Sequence, residues 1–68
     1  MTRRYSAEEV RGKLLVQCLD AGGRKAWAEA NGISPQYVTD VLKNRREPGE
    51  SIVSALGMRR VVAYEYLR

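Results

Sequence analysis

The stretch RKAWAEANGISPQYVTDVLKNRREP, residues 24–48, decides the fold of this chain. It predicts one helix over about 24–30 and a second over about 35–44, with Gly32 in the turn between them. Gly32 suits that turn because glycine adopts the left-handed backbone conformation without a Cβ penalty. Ser34 is predicted to cap the second helix with its side-chain oxygen. The proline that follows fits the first helical position, where no N–H is needed.

The second predicted helix has two faces of different character. At 100° per residue, Val38, Val41 and Leu42 share one side, which must pack on a core. The opposite side has hydrogen-bond donors and acceptors that suit the edges of DNA bases. Two helices that meet at a tight glycine turn, with a polar face on the second, are typical of a helix-turn-helix that enters the DNA major groove. The polar residues of that face are Gln36, Thr39, Asp40 and Lys43.

Residues 24–48 resemble the helix-turn-helix of the Cro and phage-repressor (XRE-like) family, and the segment SIVSALGM, residues 51–58, resembles the family's next helix. Three positions depart from the family pattern. The family often has glutamine in place of Arg24, an apolar residue in place of Asn31 and glycine in place of Asn44. The resemblance implies a lambda-repressor-like fold and use as a repressor, often in phage or plasmid-like elements. The matching residues are Ala28, Gly32, Ile33, Ser34, Val38 and Val41, followed by Asn44, Arg45, Arg46, Glu47 and Pro48.

A longer helix is predicted to precede this motif, and a third packing helix is predicted to follow it over about 50–56. Ser6 and Glu9 have the spacing of a capping box, and the helix that they begin should reach about Asp20. The Gly22–Gly23 pair then ends it. Together these helices predict a mainly α fold, a small helical bundle in a single domain that spans the chain. Trp27 is predicted to lie in the core, and Ala28 is small where the two motif helices should cross closely. The first helix has an apolar stripe of Val10, Leu14, Leu15 and Cys18, with Leu19 beside it, and the third packing helix has an apolar face of Ile52, Val53, Ala55 and Leu56.

The tail RRVVAYEYL, residues 59–67, changes to a pattern rich in β-branched and aromatic residues. This pattern favours a short C-terminal β-strand over a helix, which is the competing interpretation. A lone strand leaves backbone groups unpaired, so it needs a neighbour, either the arm at 3–5 or the same strand of a second subunit. We interpret the tail, over about 59–68, as the dimer contact. The side chains assigned to that contact are Val62, Tyr64 and Tyr66.

The composition narrows the class of function. The 68 residues have a net charge of +4, and a pI near 9.6 favours a polyanionic partner. Histidine is absent and Cys18 is the only cysteine, which excludes imidazole chemistry and an internal disulfide. No apolar run approaches the roughly 20 residues of a membrane span. We expect a cytoplasmic protein that is not an enzyme, has no membrane contact and binds no metal, cofactor or small-molecule ligand.

The predicted site residues divide into base contacts and phosphate contacts. Gln36 is the strongest base contact because its amide can donate and accept together, which matches adenine N6 and N7. Asp40 is expected to exclude wrong sites or to pair with Lys43 or Arg24. The base contacts are assigned to Gln36, Thr39, Asp40 and Lys43, and the phosphate contacts to Arg24, Lys25, Tyr37, Arg45 and Arg46.

These features and the resemblance together predict a sequence-specific double-stranded DNA-binding transcriptional regulator, a Cro-like repressor that binds a palindromic operator as a homodimer. One recognition helix reads only a few base pairs, and two-fold symmetry places two such helices about 34 Å apart. The alternative is an antitoxin-like protein-interaction module that neutralises a partner protein. A stoichiometric second protein after purification would favour that alternative.

Overall fold

The computed structural model describes residues 4–60 and 64–67, and its fold is mainly α, as predicted. Predictions that involve residue 3 or Val62 lie outside these ranges. The first helix packs on the second and third, and the fourth packs on the first strand. The described elements are α1 (Ala7–Ala21), α2 (Arg24–Ala30), α3 (Pro35–Leu42), α4 (Glu50–Ala55), β1 (Met58–Arg60) and β2 (Tyr64–Tyr66).

α1 begins and ends where the local sequence signals predict. The backbone N–H of Glu9 donates to Ser6 Oγ at 3.2 Å, and the N–H of Ser6 donates to Glu9 Oε1 at 3.0 Å. These two bonds complete the predicted capping box. The helix ends at Ala21 because Gly22, with a φ of 98°, turns the chain through the left-handed conformation. The glycine pair after α1 therefore sets the direction in which α2 begins.

The buried face of α1 is narrower than predicted. Val10, Leu14 and Cys18, each one turn from the next, are buried and form a single row against the core. Leu15 is 48% exposed, so its predicted place on the apolar stripe does not bring it into the core, and Leu19, predicted beside the stripe, is 70% exposed. Each follows a buried residue by one position, which rotates its side chain about 100° away from the core. A core in so small a domain covers only one row of this helix.

α2 has the predicted bounds, and the turn after it depends on Gly32. Gly32 has a φ of 67°, and the N–H of Ile33 donates to the Ala28 carbonyl at 2.9 Å. Ser34 precedes α3 with an extended backbone, but its side chain makes no capping hydrogen bond, so that part of the prediction is wrong. Pro35 is the first residue of α3. Its ring fixes a helical φ, and this start therefore depends on proline and not on a side-chain cap.

α3 ends at Leu42, earlier than the predicted end at Asn44. Asn44 has a φ of 62° and is the non-glycine residue with a positive φ in the described part of the chain. The N–H of Arg45 then donates to the Asp40 carbonyl at 2.8 Å, which closes the end of the helix. Asn44 thus adopts the left-handed conformation, which asparagine tolerates better than most residues other than glycine.

The core lies between α1, the α2–α3 pair and α4. Trp27 and Ala28 are buried, as predicted, and the Trp27 Nε1–H donates to Gln17 Oε1 at 3.0 Å. Gly57 follows α4 with a φ of 76° and turns the chain into β1. The remaining residues of the core are Tyr5, Val10, Leu14, Cys18, Val38, Val41, Ile52, Val53, Leu56, Met58 and Tyr64.

The predicted short C-terminal strand is confirmed as β2, and the competing interpretation of the tail as a helix is wrong; the segment 59–67, predicted as a single strand, also includes part of a second strand, β1. β1 pairs antiparallel with β2, with Met58 opposite Tyr66 and Arg60 opposite Tyr64. On its other edge β2 meets the N-terminal arm, because Tyr5 and Tyr64 exchange backbone hydrogen bonds. The sequence left two candidate neighbours for the tail strand, the arm at 3–5 and a second subunit. The structure shows that the arm of the same chain pairs with it. β2 therefore has a neighbour on each edge, β1 on one and the arm on the other, whereas a lone strand would leave both edges unpaired.

Candidate nucleic-acid interface

α3 is the helix whose exposed side contains the predicted base contacts. Val38 and Val41 are completely buried and fix the side of α3 that faces the core. At 100° per residue, the predicted base contacts lie on the opposite side. The structure therefore brings them together on one surface. The exposed or partly exposed residues of that surface are Gln36, Thr39, Asp40 and, directly after the helix, Lys43.

Three of the predicted contact residues are linked to one another. Gln36 Nε2 donates to Asp40 Oδ1 at 3.0 Å across one helical turn, and Arg45 Nη1 lies 3.8 Å from the same oxygen. Asp40 thus pairs with Arg45 rather than with the predicted Lys43 or Arg24. The reason is the left-handed turn after α3, which returns the chain toward the exposed side of the helix. Asp40 therefore orients both the Gln36 amide and the Arg45 guanidinium.

Tyr37 connects α3 with the basic loop at 44–49. The Arg46 guanidinium carbon lies 4.9 Å from the centre of the Tyr37 ring, within cation–π distance. The Tyr37 hydroxyl lies against Gly49, where a Cβ would collide with it. Gly49 has an ordinary φ of −83°, so glycine is needed there for space and not for backbone conformation. Tyr37, a predicted phosphate contact, is half-buried and holds Arg46 beside α3.

The predicted phosphate contacts at the start of α2 lie close to the end of α3. Arg24 and Lys43 line the same groove, which lies between α1, α2 and α3 and has a cavity volume of about 370 Å³. Lys25 is exposed beside Arg24. Arg45 and Arg46 are also exposed, in the loop after α3. Positive charge therefore borders the polar surface of α3 on the α2 side and on the loop side.

Arg11 supports the end of α3, although the sequence pattern did not predict this. Its Nε donates to the Val41 carbonyl at 3.0 Å, and its Nη2 lies 3.4 Å from both the Arg46 carbonyl and Glu47 Oε2. These contacts connect α1 with the last turn of α3 and with the basic loop. The only sequence signal for them is a charged residue at the edge of the apolar row of α1.

Cys18 lines the groove between α1, α2 and α3 and is buried. Burial raises the pKa of the Cys18 thiol above its ordinary value of 9.0, and the nearby charge of Arg24 partly offsets this rise. The thiol is therefore neutral near pH 7. Among residues 4–60 and 64–67, no three Cys, Asp or Glu side chains lie close enough together to hold a metal ion.

Of the predicted dimer contacts, Tyr64 and Tyr66 lie within the described residues. Tyr64 is buried in the core of its own chain. Tyr66 is 42% exposed, and its ring meets the Tyr5 ring edge to face with 5.5 Å between the centroids. Lys13 Nζ lies 4.7 Å from the centre of the Tyr5 ring and 5.4 Å from that of Tyr66. The solvent-facing part of the tail therefore includes Tyr66 and its exposed neighbour Leu67.

No protein-family model, curated protein or solved structure matches the chain. None of the described helices is long and apolar enough to cross a bilayer. The chemistry of the α3 surface itself indicates what it can bind. A compact row of hydrogen-bond donors and acceptors between exposed cations suits a polyanion that also presents ordered polar edges.

Proposed function

We propose that the protein is a sequence-specific double-stranded DNA-binding transcriptional regulator that inserts α3 into the major groove. One observation supports this proposal most strongly. α3 buries Val38 and Val41 completely and turns an entirely polar row toward solvent, bordered on two sides by exposed arginine and lysine. A major groove about 12 Å wide admits an α-helix, and a polar row on that helix reaches base edges.

Gln36 has the central role in base recognition. Its side-chain amide has two N–H groups and one carbonyl oxygen, so one N–H can remain on Asp40 while the rest of the amide meets adenine N7 and N6. Asp40 thereby fixes the orientation of the amide before DNA arrives. Asp40 also places a carboxylate near the phosphates, which disfavours binding in a wrong register. Thr39 and Lys43 complete the row of base contacts.

The flanking cations provide affinity that does not depend on sequence. Arg24 and Lys25 contact the backbone from the start of α2, and Arg45 and Arg46 contact it from the loop. The Tyr37 ring supports Arg46 through the cation–π contact, and its hydroxyl is close to the same backbone. Each phosphate contact releases a counterion, so binding should weaken steeply as salt increases.

The regulator acts as a homodimer on a palindromic operator. A single α3 has eight residues and reads only a few base pairs, whereas two copies about one helical turn apart read a full operator. We assign the subunit contact to the exposed part of the tail, at Tyr66 and Leu67. Leu67→Asp leaves Tyr64 in the core and should produce a monomer in sedimentation.

The first test is selection of bound sequences from a random duplex pool, followed by affinity measurements over a range of salt. We expect a palindrome whose half-sites are about ten base pairs apart. Gln36→Ala should relax preference at one symmetric position and cost about 1–3 kcal/mol there. Arg46→Ala should weaken binding to all sequences alike and reduce the salt slope by about one.

A matched control is Arg60→Ala, which removes the same charge from an exposed residue of β1, outside α2, α3 and the basic loop. This variant should leave both the consensus and the salt slope unchanged. If Arg60→Ala and Arg46→Ala weakened DNA binding equally, the affinity would come from net charge and not from the α3 surface. If no consensus emerged at all, the proposal of sequence-specific recognition would be wrong.

A second candidate function is the antitoxin-like one, in which the chain neutralises a partner protein. The observation that favours it is the exposure of Leu15 and Leu19 on α1, because exposed apolar side chains that lie together mark interaction surfaces. Stoichiometric co-purification of a second protein, together with no consensus from the duplex selection, would favour this function over the first.

A further inference from the structure

A groove beside the α3 surface is lined by leucines and cations together. Leu15 and Leu19 line it from α1, Leu42 lines it from the end of α3, and Arg24 and Lys43 complete the lining with Cys18 and Gly23. We call this the leucine groove. Leu19 is the most exposed of the large apolar residues described. The leucine groove thus combines an exposed apolar lining with two cations.

The charged residues that line the leucine groove, Arg24 and Lys43, are both positive. Among the residues that the structure describes, no carboxylate lines it, and Asp20, adjacent to Leu19, is not part of it. Within the described ranges, Arg24 and Lys43 have no ion-pair partner. Leucine side chains and unpaired cations at one site favour a ligand that has apolar groups and carboxylates together. Phosphate alone would satisfy the cations and leave the leucines in water.

We propose that the leucine groove binds an amphipathic acidic helix of a partner protein. Apolar side chains at positions i, i+4 and i+7 of such a helix would pack on Leu15, Leu19 and Leu42. Carboxylates beside that apolar row would pair with Arg24 and Lys43. The leucine groove lies at the edge of the α3 surface. This step rests on the proposed function: where α3 binds DNA, the partner helix would compete with DNA for these two cations.

A second copy of this chain is a poorer occupant of the leucine groove. A two-fold axis would place the same patch on both sides of the contact. Arg24 and Lys43 of one copy would then face the same two cations of the other, with no lining carboxylate between them. Like charges brought together in a partly desolvated contact are unfavourable. The charge pattern therefore favours a different, acidic chain.

The test uses the full chain and two labelled helical peptides of about 16 residues with the same leucine row. One peptide has glutamates beside the leucines, the other has lysines, and binding is followed by fluorescence anisotropy. We expect the glutamate peptide to bind about ten-fold or more tightly than the lysine peptide. Arg24→Gln should reduce that preference. Failure of the glutamate peptide to bind, or equal binding of both peptides, would overturn the proposal.

Two substitutions on α1 distinguish peptide binding in the leucine groove from non-specific hydrophobic binding elsewhere on the helix. Leu19→Ser should weaken binding of the glutamate peptide about ten-fold or more. Val16→Ser is the matched control, because Val16 is 57% exposed on the same helix but lines a different groove with Tyr5 and Tyr66. It should change the affinity less than about two-fold. Equal effects of the two substitutions would refute the assignment, as would a wild-type dimer that Leu19→Ser converts to a monomer.

Competition with DNA distinguishes this inference from the proposed function. The glutamate peptide should displace a labelled operator duplex from the wild-type chain but not from Leu19→Ser. If the peptide binds and no duplex binds, the proposal for the leucine groove is supported and the proposal of a DNA-binding regulator is wrong. If the duplex binds and the peptide does not, the leucine groove proposal fails alone.

Discussion

Replacement of Arg11 by methionine tests how α1 supports the end of α3. Methionine keeps the unbranched apolar stem of arginine and removes the charge and all three polar contacts. The side chain of Arg11 is only 16% exposed, so its contacts are partly shielded from water. The contact from Nε to the Val41 carbonyl is the shortest, at 3.0 Å, and should contribute most of the stability.

The expected cost follows from these three contacts. A hydrogen bond to a charged group contributes about 1.5–3 kcal/mol, and the lower half applies here because the Val41 carbonyl also accepts from the Asn44 N–H. The ion pair with Glu47 adds at most about 0.5 kcal/mol, because Glu47 is 70% exposed. We therefore expect Arg11→Met to lower the free energy of unfolding by about 2 kcal/mol. In a domain of this size, that corresponds to a fall in Tm of about 8–16 °C.

Urea denaturation followed by tryptophan fluorescence is a suitable assay, because the single Trp27 is buried in the core. Glu47→Gln is the control, since it removes only the exposed ion pair and should cost less than about 0.5 kcal/mol. If Arg11→Met cost no more than Glu47→Gln, the partly buried hydrogen bond from Arg11 to Val41 would contribute nothing measurable to the free energy of unfolding. The view that α1 fixes the end of α3 through Arg11 would then be wrong.

Three further predictions concern the basic loop, the end of α3 and the buried thiol. Gly49→Ala should displace the Tyr37 ring and lower the free energy of unfolding by about 1–2 kcal/mol; Tyr37→Phe in the same chain should recover part of the loss in urea denaturation, because the colliding hydroxyl is gone. Asn44→Ala should lower stability by about 1 kcal/mol, whereas Asn44→Gly should not, since the left-handed φ of 62° penalises a Cβ; thermal denaturation of both variants would contradict this if they matched. The pKa of Cys18 is raised in the folded state, so folding favours the protonated thiol. The stability that the protonated thiol contributes should be fully present below pH 9.0 and should be lost as the pH rises further. The wild type should therefore lose stability relative to Cys18→Ala above that pH, and a constant difference across the range would refute the linkage.

Local signals in the sequence predicted most helix boundaries. Ser6 and Glu9 are three residues apart and can cap a helix without help from the rest of the chain. Gly32 and Asn44 adopt left-handed conformations that few other residues tolerate. The exposed polar side of α3 could be predicted for a similar reason, because two fully buried valines fix the rotation of the helix.

The features that sequence reasoning missed depend on contacts between distant parts of the chain. Arg11 acts on residues about 30 positions away, at the end of α3, and no pattern within α1 indicates that reach. Gly49 is needed because the Tyr37 hydroxyl occupies the space of its Cβ, which is visible only when the loop has folded against α3. The antiparallel pairing of β1 with β2 was missed because the β-rich pattern of residues 59–67 does not show that this segment contributes to two paired strands. The Asp40–Arg45 pair was missed because it depends on the turn at Asn44.

The pairing of Tyr5 with Tyr64 has a consequence for synthesis on the ribosome. Tyr64, the strand partner of Tyr5, is translated roughly 60 residues after it. At about 5–20 residues per second, that interval is about 3–12 s. The helices have mostly local contacts and can form during this interval, whereas the arm stays unpaired until the tail emerges. Slower translation should therefore lengthen the period in which the nascent chain exposes Tyr5 to proteases and chaperones.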